Sequence, residues 1–192
     1  MTHNNPRLVI SILALVATAS VLGARAAADH RRELRAELKN AAGAVIGHVR
    51  FTPVSGGVQV TTEITSLSPG FHGYHVHANN DPANGEGCVP PTFVSADGHF
   101  AVAGTSHGAH AGDMPVLLAM ANGEGRSRFV SDRFTLADLR GRAVIVHAGS
   151  NNYGNIPVGA NPDQYTPNSP AATAATAATG NAGARVACGV IH

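Results

Sequence analysis

This sequence has no tryptophan, no stripe of basic residues and no cysteine-rich motif. The last two absences each argue against a class of function. The 192 residues include no Trp and only two Cys, so a metal site built from clustered thiolates is excluded. Charged residues make up 13% of the chain and the formal net charge is +1, which argues against a nucleic-acid partner. The chain does have 44% hydrophobic residues, 22 Gly and 11 Pro. These numbers indicate one globular domain with many turns.

The N-terminus has the layout of a secretory signal peptide. Met1 to Arg7 is short and basic, Leu8 to Ala24 is apolar, and small residues follow up to Ala28. We therefore predict a signal peptide over residues 1–26, cleaved after Ala26 or Ala28, and export of a domain over 27–192 to the periplasm, the cell envelope or the medium. No membrane span would remain after cleavage. The alternative is an uncleaved membrane anchor, since the apolar stretch is close to the length of a span.

The two cysteines, Cys88 and Cys188, both lie in the predicted exported part. An even number of cysteines in an oxidising compartment favours a disulfide. This disulfide would close a loop of about 100 residues, for which the chain-entropy estimate is roughly 4–5 kcal/mol.

Alternation of apolar and polar residues predicts short β-strands and no long helix. We expect strands within residues 36–38, 44–51, 58–64, 71–77, 115–121, 126–130, 143–147 and 186–191, a hairpin turn at Asn122-Gly123, and one helical turn at Leu136–Leu139. This pattern is typical of an all-β fold, a Greek-key β-barrel or sandwich. Two long segments, 78–114 and 151–180, are predicted as functional loops.

A His-x-His pair, His75 and His77, is the most informative motif. Alternation along a strand places both imidazoles on one face, where they can bind one metal ion. His72 falls on the opposite face by parity, so we predict a structural hydrogen-bonding role for it. Further candidate metal ligands follow in the sequence: His99, His107, His110, Asp113 and His147. A set rich in imidazole and free of thiolate suits copper or zinc better than magnesium or calcium.

Five motifs in order resemble the copper/zinc superoxide dismutases, specifically the exported bacterial type. They are Gly-Phe-His-Gly-Tyr-His-Val-His at 70–77, Asp-Gly-His-Phe at 97–100, His-Ala-Gly-Asp at 110–113, Val-His-Ala-Gly at 146–149, and the C-terminal string from Thr179 to Ile191 that contains Gly-Ala-Arg-Val-Ala-Cys. The resemblance covers roughly Arg35 to Ile191. It implies an enzyme that converts two superoxide anions to oxygen and hydrogen peroxide, with copper and zinc as cofactors.

The resemblance also implies a role for each site residue. The copper ligands would be His75, His77, His99 and His147, and the zinc ligands would be His99, His107, His110 and Asp113. His99 would bridge the two metals and act in catalysis. Arg185 would guide the anion to the copper, and Cys88–Cys188 would be the family's disulfide.

Three departures from the family pattern weaken the expected zinc site and the expected steering. Only two residues separate His107 from His110, and Asn151 stands four residues after His147, where the family carries an Asp. In the family this Asp links a copper ligand to a zinc ligand through their second ring nitrogens. Residues 163–179 contain no Lys, so steering would rest on Arg185.

Two other functions fit parts of the sequence. A non-catalytic copper-binding or copper-buffering domain on the same fold would use the four histidines, but it has no use for an anion guide at Arg185. A cupin-like enzyme would explain His75-x-His77 but neither the paired cysteines nor the C-terminal string. The sequence leaves the oligomeric state open, with a homodimer as one option.

Overall fold

A computed structural model of the protein describes residues 33–85, 87–153 and 170–192. The predicted signal peptide, with its cleavage after Ala26 or Ala28, lies outside the described residues and stays a prediction. Within the described ranges, no helix has the length and apolar character needed to cross a bilayer.

Nine antiparallel strands form a single sheet in the described part of the chain. They are β1 (Leu34–Asn40), β2 (Val45–Val54), β3 (Gly57–Ile64), β4 (Gly70–His72), β5 (Tyr74–His77), β6 (Leu117–Ala119), β7 (Gly125–Ser131), β8 (Ala143–His147) and β9 (Arg185–Val190). Their order across the sheet is β4-β6-β7-β3-β2-β1-β9-β8-β5. The all-β prediction is confirmed.

The sheet nearly closes on itself because β4 and β5, its two outermost strands, are separated in sequence only by Gly73. A side chain at Gly73 could not be accommodated, since a Cβ there would lie 2.5 Å from Asn151 Oδ1 and 2.6 Å from the Cβ of Ala182. The order β3-β7-β6-β4 matches the Greek-key arrangement, in which the fourth strand lies beside the first. The result is a barrel-like sheet, as the pattern predicted.

The barrel interior is filled by every second residue of the strands. In β1, Leu34, Ala36 and Leu38 are at most 1% exposed while the residues between them face solvent. Tyr74 is also fully buried, and its hydroxyl lies 2.6 Å from Thr62 Oγ1. Burial raises the pKa of Tyr74 well above its usual value, although the hydrogen bond with Thr62 acts in the opposite direction. The core therefore holds β5, which carries His75 and His77, on a rigid support.

The turn predictions at both ends of β7 are confirmed. Met120 N donates to Glu124 O (2.8 Å), and Gly123 has a φ of 80°, a left-handed conformation that glycine adopts easily. The helical turn forms as α1 (Leu136–Leu139), where Thr135 and Asp138 make a capping box.

Two elements differ from the prediction. The single strand expected over residues 71–77 is divided at Gly73 into β4 and β5. The segment 151–180 was expected to be a loop, but Pro170–Thr179 forms a helix, α2. Alanine is the best helix former, and it outweighs the threonines in this repeat. The end of α2 is tied to the barrel, because His107 N donates to Ala177 O (2.7 Å) and Asn152 N donates to Gly180 O (2.6 Å).

The predicted disulfide between Cys88 and Cys188 is confirmed. The two Cα atoms are 5.6 Å apart, and the bridge closes a sequence separation of 100 residues. It ties the loop after β5 to β9, where Cys188 is fully buried against Ile145 and Phe93 in a small second core.

Candidate metal centre

The candidate residues come together on the face of β5 opposite Tyr74 and Val76, which belong to the core. His75 and His77 lie on β5, fully buried, and His147 ends β8, the neighbour of β5 in the sheet. Two isolated bridges bring the long loop against β5: His77 pairs with His99, and His75 pairs with Asp113. Backbone pairing therefore sets the positions of the loop residues.

Four imidazoles form the first group. His75, His77, His99 and His147 each offer a ring nitrogen, and these atoms all lie within 4.8 Å of one another. All four side chains are buried. The structure thus brings these four residues together.

Hydrogen bonds fix which nitrogen of two of these rings faces the site. His77 Nδ1 donates to Asp97 O (2.8 Å), and His147 Nδ1 donates to Gly183 O (3.0 Å). A carbonyl oxygen only accepts, so each Nδ1 carries the proton and each Nε2 keeps a free lone pair. Among the described residues, neither Nε2 atom has a hydrogen-bond partner, and the same is true of Nε2 of His99 and of both ring nitrogens of His75. Buried nitrogens without partners, converging on one point, fit a metal ion.

Burial keeps these imidazoles neutral. Desolvation, followed by the positive charge that neighbouring His99 would carry, lowers the pKa of both His75 and His77 well below the usual value. Desolvation also lowers the pKa of His147 to about 4, although its hydrogen bond to Gly183 acts in the opposite direction. A neutral imidazole is the form that binds metal.

The second group surrounds Asp113. Its Oδ1 atom lies 3.0 Å from His99 Nδ1, 3.2 Å from His107 Nδ1 and 3.5 Å from His110 Nδ1. His99 Nδ1 is also 3.3 Å from His110 Nδ1. Zinc bonds of about 2.0–2.1 Å in a tetrahedron place the ligand atoms about 3.3–3.4 Å apart. The four separations fit the edges of such a site, and the short spacing between His107 and His110 does not keep His110 away from Asp113.

Asp113 is suited to a cation. Burial would raise the pKa of its carboxyl, but hydrogen bonds with His107 and His99 outweigh burial and hold this pKa well below the usual range. Asp113 therefore carries a negative charge, and imidazole rings surround it. The ligand atoms that lie within 4.8 Å of one another here belong to His75, His99, His107 and Asp113, so the two sites adjoin and His110 is outside this group. His99 faces both, with Nδ1 toward Asp113 and Nε2 without a partner.

Arg185 stands beside the first group. Its guanidinium donates to the carbonyls of Phe93 and Asp97, so the same Asp97 carbonyl accepts from Arg185 and from His77. The charge of Arg185 contributes, after burial and His99, to the lowered pKa of His77 and of His147. Arg185 is half-buried, and two backbone carbonyls fix its head group.

The copper/zinc superoxide dismutase family model matches residues 45–191, which include both groups and the disulfide. The chain belongs to this family. It is 36% identical over 178 residues to the Cu-Zn superoxide dismutase of Mycolicibacterium paratuberculosis, covering 88% of this chain and 78% of that protein. Identity to the Cu-Zn superoxide dismutase of Photobacterium leiognathi is 33% over 157 residues, covering 78% of this chain and 80% of that protein.

Solved structures agree with the family. The Cu/Zn superoxide dismutase from Brucella abortus superposes with a TM-score of 0.62 at 29% identity, covering 83% of this chain and 99% of that one. Membership in the family, together with the donor sets described above, identifies copper and zinc as the cofactors of this chain.

The structure bears out the prediction for His72. Its Nδ1 lies 2.6 Å from His147 O and its Nε2 lies 2.8 Å from Ser68 O. His72 therefore joins the turn before β4 to the end of β8 and takes no part in either group.

Two neighbours of the site were missed by sequence reasoning. Tyr153 stacks on the His107 ring, with centroids 5.6 Å apart and planes 19° apart, and its hydroxyl accepts from Asn151 Nδ2 (3.1 Å). Arg133 binds the loop between His107 and His110. For Tyr153 the sequence offered one signal of a place near the site, its position two residues after Asn151. For Arg133 the sequence offered no such signal.

Proposed function

We propose that this protein is a superoxide dismutase, converting two superoxide anions to oxygen and hydrogen peroxide. The observation that carries the proposal is a buried group of four convergent imidazoles beside one anchored guanidinium. Copper would be held by His75, His77, His99 and His147, and zinc by His99, His107, His110 and Asp113. Bound copper would supply one-electron redox chemistry.

The residues around the copper position have separable tasks. His77 and His147 present unprotonated Nε2 atoms because their Nδ1 protons are donated to backbone carbonyls. Arg185 attracts the substrate anion and orients it beside these rings. His99, which faces both groups, is the residue that can give and take a proton at Nε2 during turnover.

Export belongs to the same proposal. A formed disulfide is typical of oxidising compartments, and the bacterial relatives named above share the domain. We infer that residues 1–26 act as a signal peptide and that the mature protein works in the periplasm, the cell envelope or the medium.

Metal analysis combined with a dismutation assay tests the proposed function. The purified protein is stripped of metal, reloaded with copper alone or with copper and zinc, and assayed at each stage. We expect no dismutation without copper and strong dismutation with it. A protein that binds copper stoichiometrically and leaves superoxide decay unchanged would instead be a copper-binding or buffering domain.

Replacing Asn151 with Asp should tighten zinc binding. Asn151 is 9% exposed, and its Oδ1 has no hydrogen-bond partner within the described ranges, as is also the case for Nε2 of His75 and of His107. A carboxylate here would pair with those ring N–H groups and raise the basicity of the imidazoles. We expect zinc affinity to rise about 10–100-fold, measured by competitive zinc titration at constant copper loading.

Asn152→Asp is the matched control, because it adds the same charge one residue away. Asn152 Nδ2 lies 3.4 Å from Thr176 Oγ1, outside the metal groups. Equal zinc affinity in Asn151→Asp and the unmodified protein would show that the amide already orients both rings.

A further inference from the structure

The loop that carries His107 and His110 is held by a residue from a distant part of the barrel. Arg133 follows β7, and its Nη1 donates to Gly108 O (3.0 Å) and to His110 O (3.3 Å). These contacts join residues separated by 25 and 23 positions in the sequence. Arg133 lies outside both metal groups, so it acts on the loop and not on an ion.

Asp113 holds the same two loop residues by their other backbone groups. Its Oδ2 accepts from Gly108 N (2.6 Å) and from His110 N (3.1 Å), while its Oδ1 faces the imidazoles. The N–H groups of Gly108 and His110 thus bind a carboxylate, and their carbonyls bind a guanidinium. With both backbone groups of both residues paired, the peptide planes of the loop are fixed.

The shortness of the loop makes this clamp important. Only two residues lie between His107 and His110, and Gly108 has a φ of 93°, a left-handed conformation that glycine tolerates. If the carbonyls of Gly108 and His110 turned toward solvent, the two imidazoles would rotate with the backbone. Their Nδ1 atoms would then leave the separations of 3.2 and 3.5 Å from Asp113 Oδ1 that suit a tetrahedral ion.

Arg133 itself is mounted on a rigid support. The next residue, Phe134, is 3% exposed and meets Phe51 edge-on with ring centroids 6.5 Å apart. Thr135 then caps α1. The backbone of Arg133 is therefore held between β7 and α1, and its exposed side chain reaches the loop from this anchored position.

We propose that Arg133 is a positioning residue for the second metal site: it fixes the His107–His110 loop and so sets zinc affinity, without affecting copper. The inference rests on the proposed zinc ligands. The short loop between His107 and His110 would then be supported by a side chain from the segment between β7 and α1. Metal selectivity at the two sites would then depend on separate supports, Arg133 for zinc and the carbonyls of Asp97 and Gly183 for copper.

The test compares Arg133→Met, which removes the donors but keeps the length, with Arg133→Lys, which retains a cationic donor. Arg128→Met is the matched control, because Arg128 is exposed on β7 and its guanidinium binds Gln59 Oε1 (2.8 and 3.0 Å) instead of the loop. For each full-length protein, zinc affinity is measured by chelator competition at fixed copper loading, and copper affinity is measured separately. The visible absorption of Co²⁺ at the zinc site reports its coordination geometry.

We expect zinc affinity to fall at least tenfold in Arg133→Met, within the range of about 10–100-fold known for residues that orient metal ligands. Arg133→Lys should fall between Arg133→Met and the unmodified protein. Copper affinity in all variants, and zinc affinity in Arg128→Met, should be unchanged. The Co²⁺ spectrum should lose its four-coordinate intensity in Arg133→Met alone.

Unchanged zinc affinity in Arg133→Met would overturn the inference, and so would an equal loss of copper and zinc, which would indicate general unfolding. If Arg133→Met does not fold, Arg133→Lys decides: a zinc affinity equal to that of the unmodified protein, with an unchanged Co²⁺ spectrum, overturns the inference. A tenfold loss of zinc affinity in Arg133→Lys, with copper affinity unchanged, would support the inference and show that the guanidinium itself is needed. Parallel losses of both metals overturn the inference there too. Dismutation by the unmodified protein is assayed separately, so a failure of the proposed function is distinguishable from a failure at Arg133.

Discussion

His147→Ala should abolish dismutation while leaving the barrel folded, and His75→Ala should do the same. Each change removes one of four convergent imidazoles from a buried site, and copper held by fewer nitrogens loses both affinity and geometry. The cost to the fold is small by comparison. Removing the His147 ring leaves Gly183 O without its donor, but Gly183 is exposed, so water can take the place of the ring N–H.

The measurement is dismutation rate per chain, together with copper content and thermal unfolding. His48→Ala is the matched control, since His48 is exposed on β2, on the outside of the barrel. We expect its rate and copper content to match those of the unmodified protein. Activity within a few-fold of the unmodified protein in either His75→Ala or His147→Ala would remove these residues from the copper site.

Arg185→Glu should slow dismutation far more than Arg185→Lys. An anionic side chain beside the copper position repels superoxide, and electrostatic steering by charges changes association rates by roughly 10–1,000-fold. Lysine keeps the charge but not the planar group that binds the carbonyls of Phe93 and Asp97. Arg126→Glu, at an exposed position on β7, makes the same change of charge away from the site and should have little effect.

Salt should lower the unmodified protein's rate, but modestly. The Debye length at 0.1–0.15 M salt is about 8–10 Å, so only charges close to the copper position act strongly. The helix α2 carries no charged residue, so within the described residues we expect Arg185 to supply most of the steering charge. A rate indifferent to salt, together with full activity in Arg185→Glu, would exclude Arg185 from the mechanism.

The helix α2 illustrates why one segment was predicted wrongly. Its Ala-Ala-Thr repeat has no amphipathic pattern, so no periodicity indicated a helix between two long polar stretches. Alanine propensity alone favours a helix only weakly in a segment of this length. The contacts of Ala177 O with His107 N and of Thr176 Oγ1 with Asn152 Nδ2 supply the remaining stabilisation, and both are tertiary.

The sequence by itself determined the strands, the side-chain face of His75 and His77, the disulfide partners and the candidate ligands. These follow from local periodicity, residue chemistry and short motifs, all of which are properties of neighbouring positions. Other features were decided by the tertiary structure: the free Nε2 atoms of His77 and His147, and the reach of Arg133 to the loop. Each of these depends on a backbone carbonyl 20 to 36 residues away. Every residue has such a carbonyl, so no residue type marks it, and the folded barrel alone selects which one meets the ring or the guanidinium.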